Sequence, residues 1–140
     1  MATIEDAAAL AARLPEVTEG EDNHGRGTRT WAVGGKTFAW ERPFSKADIK
    51  RFGSASPPAG PIIAVAVADL GEKEAVLAGA TAGFFTIPHF DGFAAFLISL
   101  DTVTEDALSV AIIDAWLACA PANVADQYLK DRATADREDP

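Results

Sequence analysis

One cysteine, two histidines and twelve cationic side chains in 140 residues set narrow limits on the chemistry open to this chain. Cys119 cannot close an internal disulfide, and its place in the apolar run Trp116-Leu117-Ala118-Cys119 predicts a buried thiol in a reducing compartment. His24 and His89 have no spaced ligand set around them, so no structural metal is expected, and no cofactor is implied. Apolar runs fall short of the roughly 20 residues that cross a bilayer. Residues 1 to 25 show no basic start followed by an apolar core, so the expectation is a cytoplasmic protein without membrane contact. HExxH, Walker and GxGxxG patterns are absent, and no Ser or Cys nucleophile with a paired base is found. The chain therefore reads as non-enzymatic.

An apolar fraction of 49% is enough for one core, and a single domain is expected over residues 1–129 with a polar, frayed tail at 130–140. Charge is unevenly spread. The net charge is -9, yet Arg26, Arg29, Lys36, Arg42, Lys46, Lys50 and Arg51 fall in one stretch that holds only Glu41 and Asp48 as acids. A basic strip on an acidic molecule implies a polar partner surface.

Local signals give the elements. Thr3 with Asp6 three residues on starts a helix over 4–14, which Pro15 ends. The polar strip Glu16 to Arg26 leads to two alternating runs, Arg29–Val33 and Lys36–Glu41, joined by Gly34-Gly35, a hairpin signal. Regular alternation puts Arg29, Trp31, Val33, Lys36, Phe38 and Trp40 on one face and Thr30, Ala32, Thr37 and Ala39 on the other. Core packing of the three rings is favoured over a base-stacking platform, which leaves the Thr and Ala face exposed. Ser45 with Asp48 opens a short helical turn to Phe52, capped by Gly53, and Ser54 to Pro61 is a surface loop. A central strand spans Ile62–Val67, a helix runs from Asp69 to Gly79, and a turn at Ile87–Gly92 leads into a strand over Phe93–Leu100. A last helix starts at Thr102 or Thr104 and stops before Pro121. The sum is an α+β fold, an antiparallel sheet with helices packed on one face.

His89 and Asp91 are the most chemically suggestive pair, since an imidazole beside a carboxylate can act as a base or a ligand. Pro88 before them and Gly92 after them favour a structural turn instead.

Four blocks carry a resemblance: Leu14-Pro15-Glu16-Val17-Thr18-Glu19-Gly20, Gly35-Lys36-Thr37-Phe38-Ala39-Trp40, Asp69-Leu70-Gly71-Glu72-Lys73-Glu74-Ala75 and Phe84-Phe85-Thr86-Ile87-Pro88-His89-Phe90-Asp91-Gly92. In this order, over residues 3 to 129, they resemble the MmcQ/YjbR family. The resemblance implies a YjbR-like domain, similar to secretion chaperones and to frataxin. Family members are commonly labelled DNA-binding through a proposed pair of wing-like hairpins, and the family supplies no catalytic residues. Two partner classes follow. DNA would be held on its backbone by Arg26, Arg29, Lys36, Arg42, Lys46, Lys50 and Arg51, against a sequence pI near 4.5. Alternatively, a small molecule or protein would bind the Ala/Thr sheet face beside a pocket of His89, Phe90, Asp91 and Phe93.

Overall fold

The computed structural model describes residues 2–21, 28–52, 58 and 60–138. Arg26 and His24 of the sequence reading, together with Gly53 and most of the 54–61 loop, lie outside the described residues. In chain order the elements are α1 (Ile4–Ala12), β1 (Val17–Glu21), β2 (Arg29–Val33), β3 (Lys36–Glu41), α2 (Lys46–Arg51), β4 (Ile62–Ala66), α3 (Leu70–Ala78), β5 (Phe84–Phe85), a 3-10 turn (Pro88–Phe90), β6 (Ala95–Ser99), α4 (Glu105–Cys119) and α5 (Ala122–Glu138). The strands form one antiparallel sheet in the order β1-β2-β3-β4-β6-β5. This is the α+β architecture that the alternation of hairpin and helix signals predicts.

Helix starts follow the capping residues. Thr3 and Asp6 bond each other's backbone amides, and Ser45 and Asp48 do the same for α2. Asp69 caps α3 and Thr104 caps α4. Each such cap satisfies N–H groups that a helix end otherwise leaves without partners. Gly34 and Gly35, with φ of 58° and 79°, take the left-handed conformation that a two-residue hairpin turn needs.

Two clusters fill the two faces of the sheet. On one face α1 and α4 cover Trp31, Val33, Phe38, Ala39, Ile63, Val65, Phe96 and Ile98. On the other, Ile62, Ala64, Ala95 and Leu97 meet Ile87 and Phe90 of the turn region, with Trp40, Phe44, Phe52 and Phe85 packed around them. The central strand β4 is buried on both sides, as its Ile/Val/Ala run requires.

The structure departs from the sequence reading in several respects. β1 runs through the strip read as polar loop, pairing with β2 from Val17↔Val33 to Glu21↔Arg29. The two-residue β5 forms the opposite edge of the sheet, and β6 begins at Ala95 rather than Phe93. A helix, α5, replaces the frayed tail and continues to Glu138. Cys119 is half-buried rather than buried. The most consequential departure is a β-bulge in the hairpin. Trp31 pairs with Ala39 and Ala32 with Thr37, so Phe38 is an extra residue without a partner. Two residues of β3 then face one of β2, and every later side chain changes sides. Phe38 and Ala39 both enter the α1/α4 core, while Trp40 turns to the other face, opposite Thr30. The reading that placed Trp40 beside Trp31 is thereby corrected.

Candidate functional site

The second sheet face is only half covered. The 3-10 turn and Phe52, at the end of α2, lie over β4, β6 and β5. Over β2 and β3 there remains a groove of about 740 Å³, lined by Thr28, Thr30, Thr37, Trp40, Glu41, Arg42, Pro43, Ser45, His89 and Phe93. Period-two alternation after the bulge puts Trp40 and Arg42 on the same side. Phe90 is buried beneath them, stacked on Trp40 at 6.4 Å between centroids, and Phe93 stands edge-on to both rings. Phe93 is 52% exposed, a large apolar ring left partly in water at the lip of the groove.

Arg42 is held by three contacts. Its Nη1 donates to the Pro43 carbonyl at 2.7 Å and to Asp48 Oδ2 at 2.9 Å, and its guanidinium lies 5.7 Å from the centre of the Phe90 ring. Asp48 is 3% exposed. Burial is the largest single influence on its carboxyl and works to raise its pKa. The backbone hydrogen bond from Ser45 and the bond and charge of Arg42 together outweigh it, so Asp48 stays below the usual carboxylate range. The pair thus fixes the guanidinium at one position beside the groove while leaving Nε and Nη2 free of hydrogen bonds among the described residues.

The turn is anchored from behind by Lys73 of α3, which is 7% exposed. Its Nζ donates to the carbonyls of Phe90 at 2.6 Å and Phe93 at 2.9 Å. No feature of the local sequence singles out Lys73, because its partners are main-chain oxygens 17 and 20 residues away. His89 faces the groove, whereas Asp91 lies in a neighbouring depression with Leu70, Lys73 and Thr86. Both also border a smaller hollow around the turn. No hydrogen bond joins His89 to Asp91 among the described residues, because the 3-10 turn interrupts the extended alternation that would bring them together.

Apart from Arg42, the described cations of the basic strip are distributed over three places. Arg29 is on the helix-covered side, paired with Glu5 of α1 and Glu19 of β1. Glu19 also accepts the indole N–H of Trp31 at 2.8 Å. The hydrogen bond from Arg29, first of all, holds the Glu19 carboxyl below its ordinary pKa, with the Trp31 bond adding to it against the effect of burial. Lys36 sits at the turn end of the hairpin, four residues and roughly 13 Å along the strands from the Arg29 end at about 3.3 Å per residue. Lys46, Lys50 and Arg51 are exposed on α2. Among the described residues no group of three metal-ligating side chains occurs, and no helix is long and apolar enough to cross a membrane.

Comparison with known proteins adds relatives but no activity. No protein-family model matches the chain, and no solved structure matches it. Over 132 residues it is 39% identical to the uncharacterized proteins Rv2570 and MT2646 of Mycobacterium tuberculosis and Mb2600 of Mycobacterium bovis, covering 92% of this chain and 97% of each relative. Near-complete coverage on both sides at that identity means that the chain belongs to the family of these mycobacterial proteins.

Proposed function

We propose that the protein is a small-molecule-binding module whose ligand is a planar aromatic compound carrying hydrogen-bond acceptors, held in the groove over β2 and β3. The observation that carries this reading is Phe93, half in water beside Trp40 on an uncovered sheet face. A partly exposed aromatic cluster rimmed by polar groups is the usual form of a binding patch. A planar ring gains offset or edge contacts with Trp40 and Phe93. Arg42, the threonine hydroxyls and His89 then offer donors around its edge, and Arg42 is already immobilised, so little side-chain entropy is lost when it engages.

The nucleic-acid reading has narrower support, the exposed Lys46, Lys50 and Arg51 of α2. Arg29 is committed to two carboxylates, and Lys36 lies apart from the α2 cations along the chain and at the far end of the hairpin. Membership of the MmcQ/YjbR family is likewise proposed on its four sequence blocks, two of which supply Thr37, Trp40 and His89 to the groove.

Fluorescence provides the test. Trp31 and Trp116 are 1% and 0% exposed, so quenching by a ligand reports on Trp40. A panel of planar heteroaromatic compounds should contain one that quenches Trp40 and raises Tm. At 100 times its Kd such a compound stabilises the fold by about 2.7 kcal/mol. His89→Ala and Phe93→Ser, both at exposed positions, should remove quenching and stabilisation together. A panel without such a compound, or one that stabilises both variants as much as the parent, refutes the reading.

A further inference from the structure

On the opposite, helix-bearing side of the sheet lies a second and larger cleft, about 930 Å³, between α3 and α4. Small residues make it: Ala75 on α3 and Gly79 at its C-terminal end face Ala107, Ala111 and Ala118 on α4, where longer side chains would interlock. Its lining includes Phe84 and Phe96, whose rings pack at 4.9 Å. Val110, 58% exposed, stands at its edge.

The charges lining this cleft are all negative: Glu72, Asp106 and Asp114, with no Lys, Arg or His among them. Asp114 has no ion-pair partner among the described residues. The apolar walls around it desolvate the carboxyl and push its pKa up. The cleft therefore combines apolar surface without neighbours on one side, which forfeits dispersion contacts, with a carboxylate at its rim that has no ion-pair partner among the described residues.

We propose that the cleft between α3 and α4 is a second binding site, for small hydrophobic amines whose apolar body lies against Phe84 and Phe96 and whose ammonium group meets Asp114. Three ligand chemistries compete for such a space, and the charges rank them. An anion is repelled by Glu72, Asp106 and Asp114 alike. A neutral apolar molecule fills the void but strips water from Asp114 without replacing it. An ammonium group pairs with that carboxylate, and the apolar walls on one side of it strengthen the attraction modestly relative to bulk water. The volume falls within the range of small-molecule sites.

Three probes of one shape and different charge decide the matter: phenylbutylamine, phenylbutanol and phenylbutyrate, titrated at neutral pH into the full chain with backbone amide shifts as the readout. The amine should bind saturably, shifting Val110, Ala111, Asp114 and Leu117 and leaving Trp40 and Phe93 in place. Its affinity should exceed that of the alcohol by about fivefold or more and that of the carboxylate by about tenfold or more. Asp114→Asn, a near-isosteric change at an exposed position, should bring the amine down to the level of the alcohol and leave the alcohol unchanged. Ala75→Leu, also exposed, should narrow the cleft and weaken binding of both. Equal affinity for amine and alcohol overturns the proposal, as does an amine affinity that survives Asp114→Asn. Absence of saturable binding by all three probes up to about 10 mM, or shifts confined to the β2–β3 groove, also overturns it.

Discussion

Replacing Asp48 by Asn tests whether the Arg42 pair is the electrostatic anchor of the groove. The variant keeps the shape of the side chain and one oxygen to accept the Ser45 amide at the start of α2, so the cap survives in part. It loses the charge that holds Arg42 Nη1 at 2.9 Å, on a carboxylate only 3% exposed. Removing one partner of a buried pair costs about 3–5 kcal/mol where the other charge is left stranded. Arg42 is not stranded, since its side chain is 19% exposed and keeps the Pro43 carbonyl. Charge-assisted hydrogen bonds contribute about 1.5–3 kcal/mol each, so roughly 2 kcal/mol is expected at neutral pH. For a chain of this length that corresponds to a fall in Tm of about 6–8 °C.

The pH dependence separates this account from a packing defect. Asp48 has a depressed folded-state pKa, so its contribution is fully present above the ordinary carboxylate value of about 3.9 and is lost as pH falls through the lower folded value. Other carboxylates titrate in the same range, and Glu19 is also held low. The difference between parent and variant isolates Asp48. Urea denaturation at pH 6 should show the roughly 2 kcal/mol gap, and the gap should narrow progressively as the pH is lowered below the ordinary carboxylate value of about 3.9. A gap that is the same at both ends of that range, or one below about 0.5 kcal/mol at pH 6, refutes the reasoning.

Two further outcomes follow from the same geometry. Lys73→Met removes two hydrogen bonds to the carbonyls of Phe90 and Phe93, each of which keeps a backbone partner, while relieving the burial of a cation, so the net loss should be only about 1 kcal/mol. Its signature is faster amide exchange at residues 90–93 without change in α4, and unaltered exchange in the turn would contradict the anchoring role. Duplex DNA at about 50 mM salt should bind no tighter than about 10 μM, since the cations scatter and the net charge is -9. A submicromolar, salt-steep complex that is abolished by Lys46→Glu with Lys50→Glu would restore the nucleic-acid reading.

The parts of the fold legible in the sequence are those fixed by neighbours in the chain. Thr3 with Asp6, Ser45 with Asp48 and Asp69 with Glu72 each close a bond across three residues, so residue type alone announces the helix start. Gly34-Gly35 announces its turn for the same reason. Edge strands are a different case. In β1, Val17-Thr-Glu-Gly-Glu21 is paired on one side only and carries polar groups toward both faces, with Glu19 serving Arg29 and Trp31 across the strand boundary. Nothing in its own residues distinguishes it from loop. Helix α5 was hidden by Pro121, which reads as a stop for α4 but also stands immediately before the first turn of a new helix, where proline is tolerated. Its polar second half is supported by bonds of helical spacing, Gln127 to Asp131, Arg132 to Tyr128 and Thr134 to Lys130.

The bulge explains why the groove could be named only in part. His89, Phe93 and the threonine face were identifiable from a turn and an alternation, but Trp40 was assigned to the wrong side. A regular hairpin would set Trp31, Phe38 and Trp40 as three large rings on one face. Opposite Trp31 the structure instead places Ala39, which leaves room for the indole, and its N–H reaches Glu19 at the side. The extra residue at Phe38 keeps that ring in the core and inverts everything after it. Trp40 therefore meets Phe90 and Phe93, and Arg42, two residues on, comes to the same face within reach of Asp48. One unpaired residue in β3 converts a plain threonine-alanine surface into an aromatic groove with a fixed cation, and the same step removes Arg42 from the face that carries Arg29. Aromatic site and divided basic strip are thus two results of a single register change.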